Sequence, residues 1–226
     1  MAYFLGFISA DGCIKSPISN KESRYSLGIA LSIVDIEILE KLKNEIKLNK
    51  DITKRSIKNN NKSYEICELI VHSKILVNDL ISIGIKDLKS KDIEFPKIPK
   101  DYELDYIRGY FDGNGCISHD YITNKNSKNK ITQIRIRINS GSHSILNSMQ
   151  EILSSYGLKS KKVNKYGSFN YEICYSTSES LKIFDLFYKD DSLYLSRKYL
   201  KFKNAIETRN YELLNIKKYI KVKGEC

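Results

Sequence analysis

Patterning along the chain points to an α+β fold of two tandem αββαββα units, for three reasons. Two apolar stretches share one pattern, Phe4-Leu-Gly-Phe-Ile-Ser-Ala-Asp-Gly12 and Ile107-Arg-Gly-Tyr-Phe-Asp-Gly-Asn-Gly115. Each reads as a helix with small residues one turn apart, Gly6 and Ala10 in the first, Gly109 and Gly113 in the second. That spacing clears a stripe along which another helix can approach closely. The tetrapeptide Tyr-Glu-Ile-Cys then occurs at Tyr64–Cys67 and again at Tyr171–Cys174, at nearly the same offset as the two stretches. An internal repeat of this kind marks two copies of one structural unit. Finally, strand-like and helix-like periodicities follow the same order in both halves.

The first unit covers residues 1–95. Its motif helix runs to about Asp11, followed by a short strand at 13–15 and a polar loop over 16–24. Leu27, Ile29, Leu31 and Ile33 alternate with Ser26, Gly28, Ala30 and Ser32, the pattern of a half-buried strand. Asp35 is expected to cap a helix with Ile38, Leu39, Leu42 and Ile46 on one face. Residues 51–58 and 62–71 read as a hairpin turning on Asn59-Asn60-Asn61. An amphipathic helix over 74–83 stops at Gly84. Phe95-Pro96-Lys97-Ile98-Pro99 cannot be helical, which makes 96–103 a linker.

The second unit, 104–208, repeats the order. Its motif helix leads to a short strand at 116–118 and a loop rich in Asn and Lys at 120–130. The clearest strand is 131–139, with Ile134, Ile136 and Ile138 on one face and Gln133, Arg135, Arg137 and Asn139 on the other. A helix from Ser142 or Ser144 to Tyr156 ends before Gly157. Residues 159–166 and 169–176 read as a hairpin around Gly167, followed by helices over 178–188 and 193–208. Residues 209–226 read as a basic tail. Hairpin-joined strands are antiparallel and leave one face of each sheet for a partner.

The 226 residues are ordinary in hydrophobic content, 41%, and in charged content, 29%. Their balance is not, since 38 Lys and Arg against 27 Asp and Glu give a formal charge of +11. Such an excess points to a polyanion, nucleic acid first, with a merely solvated basic surface as the alternative. No apolar run reaches the roughly 20 residues of a membrane span, and the opening Met-Ala-Tyr-Phe-Leu lacks the positive flank of a signal peptide. With no Cys-x-x-Cys pair and 3 histidines, a zinc site is not expected. Cys13 with Cys116 and Cys67 with Cys174 fall at matched positions. They read as small core residues rather than disulfides, in an intracellular protein.

The motif helices end in Asp11-Gly12 and Asn114-Gly115. The glycines suit a helix C-cap with positive φ. A carboxylate there opposes the helix dipole and faces free carbonyls. Gathering so much oxygen in one place makes sense if a divalent cation is held there.

On these residues the chain resembles the LAGLIDADG homing endonucleases in their single-chain, two-motif form. The resemblance implies a pseudo-twofold monomer with saddle-shaped antiparallel sheets, packed through its motif helices at Gly6, Ala10, Gly109 and Gly113. It implies metal ligands at Asp11 and Asn114, assisted by the carbonyls of Ala10 and Gly113. The metal would be Mg²⁺ or Mn²⁺, with Ca²⁺ able to occupy the sites without supporting cleavage. The implied activity is hydrolysis of a long, pseudo-palindromic or asymmetric double-stranded DNA target across the minor groove, leaving 3′ overhangs. A lysine near each metal site would orient solvent. Family context suggests Lys89 and Lys198, whereas the repeat offset selects Lys91 in place of Lys89.

Asn114 departs from the family pattern, because an amide oxygen can ligate a metal but adds no negative charge. Asp112 lies roughly 200° around the helix from it and points elsewhere. The form would then be a nicking or inactive variant, with Asn114 either natural or introduced. A non-cleaving regulator or intron maturase on the same fold is the alternative. An unrelated RNA-binding αβ protein is another, although no aromatic stacking motif is evident. For DNA reading, the exposed face offers Gln133, Arg135, Arg137 and Asn139 in the second half, and Ser26 and Ser32 in the first. Lys54, Arg55, Lys58, Lys161, Lys162 and Lys165 in the hairpins suit phosphates. The loops over 16–24 and 120–130 could reach flanking DNA. His72, His119 and His143 suit solvent or capping roles.

Overall fold

The computed structural model describes residues 1–16, 24–59, 62–85, 93–123, 130–168, 170–189 and 192–223. The first half runs α1 (Ala2–Asp11), β1 (Gly12–Lys15), β2 (Ser26–Ser32), α2 (Ile36–Glu45), β3 (Thr53–Asn59), β4 (Lys62–Val71) and α3 (Lys74–Ser82). The second runs α4 (Glu103–Asn114), β5 (Gly115–Thr123), β6 (Lys130–Ser140), α5 (His143–Ser155), β7 (Asn164–Tyr166), β8 (Asn170–Tyr175) and α6 (Thr177–Phe187). A long helix, α7 (Ser196–Lys223), closes the chain. Each half is thus an αββαββα unit with a four-stranded sheet, ordered β1-β2-β4-β3 and β5-β6-β8-β7. Every neighbouring pair is antiparallel.

Each sheet buries one face under its helices. Ile29, Leu39, Leu42, Leu69 and Val77 build the first core, and Ile136, Ile138, Leu146, Met149 and Ile173 build the second. The alternation in β6 is complete: Ile134, Ile136 and Ile138 are fully buried, while the residues between them are half-buried on the free face.

The two halves meet along α1 and α4. A methyl group built on Gly6 would lie 1.9 Å from the Tyr106 carbonyl oxygen, and one on Gly109 would lie 1.8 Å from that of Tyr3. One turn on, a methyl at Gly113 would come within 2.3 Å of the Ala10 Cβ. The backbones therefore touch directly, and no side chain of any size fits at those glycines. Tyr3, Phe4, Phe7, Tyr106, Tyr110 and Phe111 flank this contact and are all buried.

The segment leading into α7 ties the halves together a second time. Leu195 packs into the core of the first half. Its backbone N–H donates to Asp112 Oδ2 at 2.8 Å, and the Tyr3 hydroxyl donates to the same oxygen at 2.8 Å. Asp112 is thus turned into the interior, joining α1, α4 and the start of α7. Arg197 Nε donates to both carboxylate oxygens of Asp35, at 2.7 and 2.8 Å, and Ser196 N–H donates to Glu37 at 3.0 Å. Farther along, Glu212 accepts from the Thr132 N–H and hydroxyl, while Arg209 donates to the Thr132 carbonyl.

Several local expectations are corrected. Asp35 makes no capping bond to α2, because Arg197 claims its carboxylate. Gly12 and Gly115 have φ of −74° and −94°, so they are extended rather than left-handed. They are glycine for lack of room: a Cβ would lie 2.6 Å from the Ile8 carbonyl oxygen at Gly12 and 2.0 Å from the Phe111 ring at Gly115. Left-handed helix ends occur instead at Gly84, φ +97°, and Gly157, φ +86°. There, the N–H groups of Ile85 and Leu158 close back on Leu80 and Leu153. Strand β5 is longer than expected and reaches Thr123, whereas β7 is only 3 residues long. Lys161 and Lys162 consequently precede the strand that was expected to carry them. Residues 209–223 continue α7 rather than forming a separate tail. Cys13 and Cys116 are exposed, Cys174 is intermediate, and only Cys67 is a buried core residue; all four are free thiols. The loop residues 17–23 and 124–129, the turn residues 60–61, and Lys89 and Lys91 lie outside the described residues.

Two consequences can be measured. Gly109→Ala should lower stability by about 3 kcal/mol or more, because its methyl must displace backbone rather than a side chain. Gly28→Ala, where the nearest atom lies 3.9 Å away, should stay within about 0.5 kcal/mol in the same melting experiment. Burial pushes the Asp112 carboxyl up to about 6, against the opposing pull of Lys198 and the bonds from Tyr3 and Leu195. A carboxyl raised in the folded state binds its proton more tightly there than in the unfolded chain. Its contribution therefore becomes more favourable as pH falls from about 6 to about 4. Chemical denaturation should show the protein gaining stability relative to Asp112→Asn between about pH 7 and about pH 4.5. A difference that is flat, or that shrinks toward acid, would contradict this.

Candidate metal centre and nucleic-acid face

Close packing of α1 and α4 brings their C-terminal ends together. Asp11 leans across the contact, so that a methyl on Gly113 would lie 3.3 Å from Asp11 Oδ2. Asn114 leans the other way, its Nδ2 donating to the Ala10 carbonyl oxygen at 3.4 Å. Each motif end therefore reaches the other helix's penultimate residue. The surrounding protein raises the Asp11 carboxyl, while Lys198 and Arg197 pull it down and Asp35 raises it further.

These donors suit a hard divalent cation. One carboxylate, one amide oxygen and nearby backbone carbonyls are all oxygen ligands, and Mg²⁺ commonly takes few protein carboxylates beside waters and substrate phosphates. Among the described residues, no three His, Cys, Asp or Glu side chains gather as a self-sufficient metal cage. Such a site would need its substrate to be complete. The asymmetry is one of charge, since Asp11 brings a negative charge and Asn114 none.

Lys198 is buried behind this centre. Its ammonium donates to the carbonyls of Phe111, Asp112 and Gly115, each at 2.7 Å. Three donors are matched to three acceptors, so the lysine caps the C-terminal end of α4. Burial lowers it to about 8, with Asp112 opposing that shift. All its protons are engaged by backbone, and it contributes charge and rigidity where Asn114 emerges. Beside it Arg108, also buried, donates to the carbonyls of Leu193 at 2.7 Å and Phe187 at 3.2 Å, and pairs with Asp105 at 2.8 Å. The buried set of Arg108, Asp112 and Lys198 was missed in the sequence reading as a unit. The available signal was two charged residues, Arg108 and Asp112, inside the otherwise apolar, glycine-bearing stretch 107–113.

A groove runs from each motif end along the free face of its own sheet. In the second half a cavity of about 630 Å³ is lined by Asn114, Cys116, Arg137, Asn139, Tyr166 and Glu172, among others. In the first, one of about 370 Å³ is lined by Asp11, Cys13, Arg24, Ala30, Glu68 and His72, among others. His72 therefore sits in the groove that begins at Asp11. His119 is exposed, and His143 packs edge-on against Tyr171. Gln133, Arg135, Arg137 and Asn139 line the second face together. Ser32 is exposed in the first half, but Ser26 is 8% exposed and contributes little surface. Lys54, Arg55 and Lys58 are exposed along β3, with Arg55 3.5 Å from Glu68. Lys162 and Lys165 are exposed and Lys161 is half-buried. Exposed lysines thus lie along β3 and around β7, while the grooves beside the motif ends are mixed in charge.

Comparison with known proteins agrees with this architecture. The family model for the LAGLIDADG endonuclease matches residues 4–97, and that for a LAGLIDADG-like domain matches residues 101–186. None of the curated proteins matches in sequence. Among solved structures, the chain is similar to the homing endonuclease I-GzeII in complex with its DNA target, at 18% identity and a TM-score of 0.56, over 92% of this chain and 89% of that one. It is also similar to I-LtrWI bound to target DNA, at 13% identity and a TM-score of 0.57, over 100% and 96%. A third likeness is to I-SmaMI bound to uncleaved DNA in the presence of calcium ions, at 12% identity and a TM-score of 0.58, over 96% and 92%. At these identities the structures speak for the fold alone. Among the described residues, no helix is long and apolar enough to cross a membrane. With one domain matched in each half and the motif helices packed between them, the chain belongs to the LAGLIDADG homing endonuclease family, in its two-domain, single-chain form.

Proposed function

We propose that the chain is a site-specific, divalent-metal-dependent DNA endonuclease acting as a monomer, weakened at one of its two metal-ligand positions by Asn114. The observation that carries this reading is the convergence of Asp11 and Asn114 at the head of two grooves lined largely by polar groups and charges of both signs. Solved relatives of this fold hold target DNA, one of them with calcium ions present. Lys54, Arg55, Lys58, Lys162 and Lys165 would hold phosphates through charge. Gln133, Arg135, Arg137 and Asn139 would face base edges, as Arg pairs with guanine and Gln or Asn with adenine.

Asp11, Asn114 and the carbonyls of Ala10 and Gly113 would hold the ions. A divalent ion held by these residues would supply positive charge to a scissile phosphate and would lower the pKa of an attacking water. The protein's own part is to fix the two motif ends at one spacing, so that each strand of the duplex meets one of them. Lys198 keeps the end of α4 from fraying by donating to the carbonyls of Phe111 and Asp112 in its last turn and of Gly115 just beyond it. With a carboxylate at one end and an amide at the other, one strand would be cut faster than its complement. A non-cleaving DNA-binding protein is the second reading, favoured by the Asn114 amide already donating to the Ala10 carbonyl.

A plasmid carrying the target site separates these outcomes. With Mg²⁺, Asn114→Asp should linearise it at least about tenfold faster than the present protein, which should accumulate nicked circles. Asp11→Asn should abolish cleavage while leaving binding in place. Equal linearisation by the present protein and by Asn114→Asp would contradict the role given to Asn114. Undiminished cleavage by Asp11→Asn would contradict the metal assignment.

A further inference from the structure

We propose that Asp120 and Glu172 set the sequence selectivity of the second half, by neutralising and aiming Arg135 and Arg137 as readers of base edges. The inference rests on the DNA-binding reading above.

Register makes the arrangement specific. In the β5–β6 pair, Asp120 lies opposite Gln133, Ser118 opposite Arg135 and Cys116 opposite Arg137. Each arginine leans diagonally by one pair in the same direction. Arg135 Nη1 donates to Asp120 Oδ2 at 3.2 Å, and its Nη2 donates to Gln133 Oε1 at 2.6 Å. Arg137 Nη1 donates to Ser118 Oγ at 3.1 Å. On the other side, where β8 sets Glu172 opposite Asn139, the Arg137 Nε faces Glu172 Oε2 at 3.9 Å. Diagonal neighbours are within reach of side chains this long. Both arginines are therefore held by groups on the free face itself.

Carboxylates on a surface that receives a polyanion weaken its general attraction for phosphate. A free arginine there would release a counterion against any duplex, whatever its sequence. An arginine already paired with a carboxylate gains less from a phosphate. It is also fixed in direction, so its remaining N–H groups are presented as a fork suited to guanine O6 and N7. Sequence-independent affinity falls while base discrimination is kept. The first half lacks this device on its central strand, where Ser26, Gly28, Ala30 and Ser32 carry no charge. A comparable pair there, Arg55 of the outer strand β3 with Glu68 of β4, lies outside that strand. Selectivity for guanine should accordingly concentrate in the half-site under β5–β8.

The test is selection of bound sequences from a randomised duplex library in calcium, with the present protein, Asp120→Asn, Glu172→Gln and Arg135→Ala. Asp120→Asn should relax the same base-pair positions as Arg135→Ala, and Glu172→Gln should relax a neighbouring one, each by roughly tenfold in discrimination. On an unselected duplex, both carboxylate variants should bind more tightly, with a log-log salt slope steeper by about one counterion. A misfolded protein would not show such a gain. If both carboxylate variants keep the selectivity of the present protein, or if Asp120→Asn relaxes only positions that Arg135→Ala leaves alone, the inference is overturned while DNA binding stands. If no form binds duplex DNA, the functional reading itself fails and the inference falls with it.

Discussion

Backbone contact between α1 and α4 is the constraint on which the rest of the molecule depends. Glycine at Gly6 and Gly109 lets each helix press on the other's carbonyl groups, and this sets how far apart the two helix ends stand. The distance between Asp11 and Asn114 follows from that approach, and so does the placement of both grooves. A single half would carry a motif end with no partner and an uncovered apolar helix. Function and stability therefore rest on the same few atoms, which leaves little room for substitution at the contact.

Helix contact alone would leave the two units free to rock about one seam. The segment before α7 removes that freedom by placing Leu195 in the first core, Arg197 on Asp35, and the Leu195 N–H on Asp112. Asp112 then works as a buried joint, accepting from Tyr3 of one half and from the strap that returns from the other. Lys198 extends the same logic to the end of α4. Charges buried this deeply are costly unless paired; Arg108 and Lys198 donate to backbone carbonyls, while Asp112 accepts two bonds on Oδ2 and leaves Oδ1 without a hydrogen-bond partner. They define a rigid frame around an exposed centre. On the proposed function, the net charge of +11 would act at longer range, drawing a polyanion toward a surface whose innermost arginines face carboxylates.

Much of this was legible in the residues. Small residues one turn apart, repeated with a hairpin tetrapeptide, sufficed for the two-unit order, because both signals come from backbone proximity and sheet register, which short motifs encode directly. The β6 alternation was legible for the same reason. What escaped was everything decided by long-range contact. Gly12 and Gly115 read as left-handed caps, since glycine after a helix usually is one, yet the Ile8 carbonyl and the Phe111 ring account for them. Asp35 read as a local cap because nothing nearby in sequence announces Arg197. Lys198 read as a solvent-orienting lysine, and no local pattern reveals that three carbonyls already hold its protons. The shortness of β7 was hidden because Lys159–Tyr166 has no sharp turn signal at its start.

The central claim is that this close helix contact presents two chemically unequal ends to one duplex. Its most direct test is anomalous scattering from manganese in crystals of the protein with its duplex target. The account predicts strong density for an ion at the Asp11 carboxylate, and clearly weaker density on the Asn114 side. Equal occupancy at both ends, or an ion bound away from the meeting of α1 and α4, would contradict it.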